Sequence, residues 1–163
     1  VKIVGSVSSE KTRVRLLFAA AILMVVVAVV HEAVGYFWYV DPLVEEASGI
    51  SNSVESGSEG QPVMMAVAMY HFVGWVFLVM GLAPAWAARL MRGGEYRTAR
   101  ALLVVTLALL WAMVATFVVV NAAFRGFDDI LILAQWTFFV PSLLLVHLAL
   151  RGMPTSQAEQ VSR

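Results

Sequence analysis

Long apolar runs separated by short polar breaks dominate the chain. The first runs from Val14 to Val40, the second from about Val63 to Leu90, the third from about Thr98 to Phe124 and the fourth from about Asp129 to Arg151. Each offers about 20 or more mostly apolar residues, enough for an α-helix to cross roughly 30 Å of hydrocarbon at about 1.5 Å per residue. None alternates polar and apolar positions with period two, which excludes a transmembrane β-barrel. The pattern predicts an all-α fold: a four-helix antiparallel transmembrane bundle. The first run is too long for the apolar region of a signal peptide, and no small-x-small cleavage pattern follows it, so it reads as a retained helix.

The breaks define the rest of the organisation. Residues 1–12 and 152–163 are polar N- and C-terminal tails, and 13–151 hold the transmembrane domain. Residues 41–62 form an acidic outer loop with five carboxylates (Asp41, Glu45, Glu46, Glu55, Glu59) and no Lys or Arg. Asp41-Pro42 is expected to stop the first helix, because proline disfavours helical geometry in the residue before it. Residues 91–97 form a short turn. Arg125–Asp129 form a tight outer turn in which Asp128 can cap the next helix. Such short linkers make antiparallel neighbours. Pro84 and Pro141 mark expected kinks in the second and fourth helices.

Charge fixes the orientation. Lys2, Lys11, Arg13 and Arg15 gather before and at the start of the first helix, Arg89, Arg92, Arg97 and Arg100 flank the turn after the second, and Arg151 and Arg163 lie at and beyond the end of the fourth. Arg125 alone lies on the other side. Ten basic residues against one place both tails in the cytoplasm (N-in/C-in) by the positive-inside rule. Tyr36, Phe37, Trp38 and Tyr39 belong at the outer interface, where aromatic rings collect. The inner arginines are expected to meet anionic lipid.

Composition agrees and narrows the chemistry. The chain is 61% hydrophobic and only 13% charged, against about 25% charged residues in globular domains. A soluble domain this apolar lacks the polar surface to stay dissolved. The absence of cysteine removes disulfides, thiolate metal sites and thiol redox relays. No nucleophile triad, phosphate loop or HExxH helix is present, and no basic surface suits nucleic acid. The Val-, Ala- and Arg-rich composition is of the kind found in high-GC bacteria.

Polar residues within apolar runs are costly and therefore informative. Counting from the outer ends puts His31, His71 and Gln135 about 9–14 Å below the outer interface. Glu32 sits at that level beside His31, and Asn121 lies nearer the surface. The inner half is plainer, with Thr106 near the middle of the third helix and His147 near the inner end of the fourth. Two histidines at one depth on separate helices suit a bis-histidine haem b, or two ligands of a metal. The same residues, with Trp136, Trp75 and Tyr36 as walls, suit a quinone or lipid headgroup, with Glu32 relaying a proton. Against both haem and metal, no third histidine lies at that depth, and Glu32 points about 100° from His31, so the two do not naturally share one ligand. The simpler reading is that His31, His71, Gln135 and Tyr70 hydrogen-bond across the bundle and hold it together. Gly74 and Gly81 lie on one face of the second helix and predict close helix approach there. Met64, Met65 and Met69 read as pliable packing rather than a copper(I) site.

The expected function follows from small size and missing chemistry. It is a multi-pass protein of the bacterial plasma (inner) membrane that serves a larger respiratory or transport complex as a non-catalytic accessory or assembly subunit, next to a membrane-protein partner or further copies of itself. The alternative is a redox protein holding haem b or quinone at His31, His71, Gln135, Trp136 and Glu32. No metal site and no resident cofactor are expected on the first reading.

Overall fold

The computed structural model describes residues 9–51, 61–125, 136–151 and 153. Among the described residues, all are helical except Ser9, Gly93–Glu95, Arg151 and Met153, and there is no strand. The elements are α1 (Glu10–Gly35), a π-helical turn (Tyr36–Val40), α2 (Asp41–Ser51), α3 (Gln61–Arg92), α4 (Tyr96–Arg125) and α5 (Trp136–Leu150). Three stretches, Glu10–Glu46, Pro62–Arg92 and Tyr96–Val120, are long and apolar enough to cross a membrane. The chain is therefore a multi-pass membrane protein by length and composition. As described, α5 has 15 residues, which spans only about 22 Å; residues 129–135, expected to begin the fourth helix, and the turn capped by Asp128 lie outside the described residues.

Two helix boundaries differ from the sequence expectation. Ser9 caps α1: the Thr12 N–H donates to Ser9 Oγ at 3.3 Å, satisfying one of the free donors at a helix start. Helix α1 therefore begins at Glu10, and Lys11 belongs to its first turn rather than to a tail.

At the outer end, Asp41-Pro42 does not stop the helix. In a regular α-helix the Pro42 ring would press on the carbonyl four residues back. Here Tyr36–Val40 widen into a π turn, in which the Asp41 N–H donates to the Tyr36 carbonyl five residues back. The wider turn makes room for the ring, and Pro42 then occupies the first turn of α2, where a missing N–H costs nothing. Residues 41–51, expected as loop, are thus helical.

The chain divides into two compact units, Val25–Val79 and a second unit of Val1–Met24 with Met80–Arg163. In the second, Ala20, Ala21, Ala87, Ala88, Ala99 and Ala149 are buried among Leu17, Met91, Leu103, Leu110 and Phe139. Alternating small and large residues let membrane helices approach closely. Pro84 is buried within α3, and the Phe117 and Phe139 rings pack at 5.6 Å between centroids. Thr106 and Thr116 donate their hydroxyls to the carbonyls of Leu102 and Ala112 at 2.8 and 2.9 Å, so each is satisfied within its own helix.

Helix α3 ends in a Schellman motif: the Gly94 N–H donates to Met91 O and the Glu95 N–H to Leu90 O, at 3.0 and 2.9 Å. Gly94 has φ of +82°, the left-handed conformation this cap requires.

In unit Val25–Val79, Val27, Ala28, Val40, Gly74 and Phe77 are buried. Phe37, Trp38 and Tyr39 are exposed, as are Met64, Met65, Met69 and Trp75. So broad an apolar surface fits contact with lipid.

Candidate functional site

The polar residues of unit Val25–Val79 meet where α1 and α3 pass each other. The side chains pair in a reciprocal pattern. His31 donates its Nε2–H to the Tyr70 carbonyl at 3.0 Å, and the Tyr70 hydroxyl donates to the His31 carbonyl. A carbonyl can only accept, so the first bond places the His31 proton on Nε2. One helical position on, His71 donates its Nδ1–H to Glu32 Oε2 at 2.8 Å.

Two glycines make this approach possible. A Cβ on Gly35 would run into the Tyr70 hydroxyl and stand 3.0 Å from its Cζ. A Cβ on Gly74 would run into Glu32 Oε1 and stand 2.8 Å from its Cδ. Each helix therefore gives the other a bare glycine surface on which a long polar side chain lies. Both glycines follow the same spacing: His31-Glu32-x-x-Gly35 on α1, Tyr70-His71-x-x-Gly74 on α3.

Aromatic contacts complete the walls. The His31 ring stacks on Tyr70 at 4.2 Å between centroids and 17° between planes, and the edge of Phe77 meets it at 5.2 Å. Tyr36 lies 6.3 Å from His71. His31 thus neighbours residue 77 while residue 36 neighbours residue 71, so the two helices run in opposite senses here.

Of the residues singled out in the sequence, the structure brings together His31, Glu32, Tyr70 and His71. It joins each histidine to a group on the opposite helix. The roughly 100° between His31 and Glu32, which argued against one shared ligand, is what sends them to different partners. Trp75 is 65% exposed and is not a wall. Gln135 lies outside the described residues; Trp136 begins α5, and its side chain also lies outside them.

The side chains of His71 and Glu32 are 39% and 40% exposed. Glu32 Oε1 is buried against Gly74 without a hydrogen-bond partner. Among the described residues no three His, Asp or Glu side chains gather as a metal site would need. For haem, His31 would have to give up the bond from Nε2, the nitrogen that now faces the Tyr70 carbonyl. What the arrangement does chemically is join two helices by two side-chain pairs and present a carboxylate-backed imidazole, His71, at a half-open edge. No family model, curated protein or solved structure matches this chain.

Proposed function

We propose that this protein is a four-span, N-in/C-in component of a bacterial plasma membrane that serves a larger respiratory or transport complex as a non-catalytic accessory or assembly subunit. The observation that carries this reading is the engagement of the intramembrane polar groups. His31, Tyr70, Glu32 and His71 bond to one another, as polar residues do when they hold membrane helices together. The wide exposed apolar surface adds support, since a partner or a second copy can bind there as readily as lipid can. The test is purification in mild detergent at native expression level. A stoichiometric membrane partner or a defined homo-oligomer is expected; a protein that migrates alone as a monomer would contradict the proposal.

One observation favours a second reading. His71 is backed by Glu32 through Nδ1 yet stays partly exposed. A quinone carbonyl arriving from the lipid would meet an imidazole already held in place by a carboxylate, the arrangement used for proton exchange. Haem b is less well supported, because His31 Nε2 is engaged. Solvent extraction of the purified protein separates the readings: stoichiometric quinone, lost in His71→Phe, supports the second, and its absence from protein of quinone-replete membranes removes it.

A further inference from the structure

The opposite end of α1 carries a different kind of site. Lys11, Arg15 and Arg92 line an open groove of about 450 Å³, with Val14 and Glu10 completing its wall. Lys11 and Arg15 are one turn apart on one face of α1, and Phe18 continues that face. The Arg92 guanidinium lies 5.4 Å over the Phe18 ring, within the range of a cation–π contact. That contact keeps Arg92 beside α1, where it lines the same groove as Lys11 and Arg15. Glu10 is the one acidic wall residue, and its Oε2 already accepts the Tyr96 hydroxyl at 2.6 Å. The α1 N-terminus lies beside the groove and adds its partial positive charge. The result is three exposed cations facing one cavity, with a buried apolar residue, Val14, in its wall.

We propose that this groove binds a phosphate group, with Arg15 and Arg92 forking its oxygens and Lys11 supplying a third charge. Guanidinium groups match phosphate geometry in pairs, and lysine adds a point charge. Two sources present that chemistry: the headgroup of an anionic phospholipid and a free phosphate. The groove's level at the cytoplasmic headgroups rests on the orientation proposed above; its phosphate chemistry does not.

The test uses the full chain in neutral detergent, titrated with phosphatidylglycerol and with phosphatidylcholine and followed by native mass spectrometry. Phosphatidylglycerol should bind more tightly. Arg92→Gln and Arg15→Gln should each weaken it about fivefold, the effect of one basic residue near an anionic surface. Arg97→Gln, which removes an equal charge from the same turn region but does not line the groove, should change it less than about twofold. Glu10→Gln should strengthen it, a gain that misfolding cannot imitate. Displacement by millimolar inorganic phosphate assigns the groove to free phosphate; binding of phosphatidylglycerol that phosphate leaves intact assigns it to a headgroup. Equal losses in Arg92→Gln and Arg97→Gln, or binding of neither inorganic phosphate nor phosphatidylglycerol in preference to phosphatidylcholine, would overturn the proposal.

Discussion

The close approach of α1 and α3 depends on Gly35 and Gly74, and the consequence is testable one methyl group at a time. Gly74→Ala places a Cβ against the Glu32 carboxyl, so Glu32 must move and its bond to His71 must stretch. Overpacking of this kind costs about 1–3 kcal/mol, read as a lower thermal midpoint in detergent. In a Glu32→Ala background the same substitution should cost much less, because the group it strikes has gone; equal costs in both backgrounds would refute the contact. Part of this site is legible in the sequence. Counting residues from the outer ends puts His31 and His71 at one depth. The choice of partners is not, because it depends on how each helix is rotated about its axis, and helices apolar on all sides carry no pattern to reveal that. The matched spacing of His31-Glu32-x-x-Gly35 and Tyr70-His71-x-x-Gly74 marks two polar pairs, each followed by room for the other.

At the scale of elements, the sequence reads well where apolar length decides and poorly where local geometry does. Helices α3 and α4 extend only one or two residues beyond the predicted ends at 63, 90, 98 and 124. The outer end of α1 departs further, because the preference of the residue before a proline describes a regular helix and a π turn escapes it. The turn after α3 offers a sharper test. Gly94 has φ of +82°, whereas Gly93 does not have positive φ and a Cβ there would meet the Leu90 carbonyl at an ordinary 3.4 Å. Gly94→Ala should therefore destabilise the protein by about 1–2 kcal/mol, the cost of holding an L-residue in the left-handed region. Gly93→Ala should be close to neutral. Similar thermal shifts for the two variants would mean that the Schellman cap does not form.

At the scale of the whole molecule, the absence of cysteine makes orientation directly measurable. Single cysteines at Gly93 and at Glu45 should label from opposite sides of intact membranes, Gly93 from the cytoplasm; labelling of both from one side would contradict the proposed topology. Membrane residence was legible from apolar length alone. Function was less so, because a bundle held by internal polar pairs and one holding a ligand begin from the same few residues. The pair Glu32–His71 ties α1 to α3. A double-mutant cycle measures this directly, with Glu32→Leu, His71→Phe and the combined variant compared by reversible unfolding in bicelles. A coupling of about 0.6–2 kcal/mol is expected, the range of interhelical hydrogen bonds in membranes. Losses that add to within about 0.3–0.5 kcal/mol, as independent sites do, would show that the two residues do not hold the helices together.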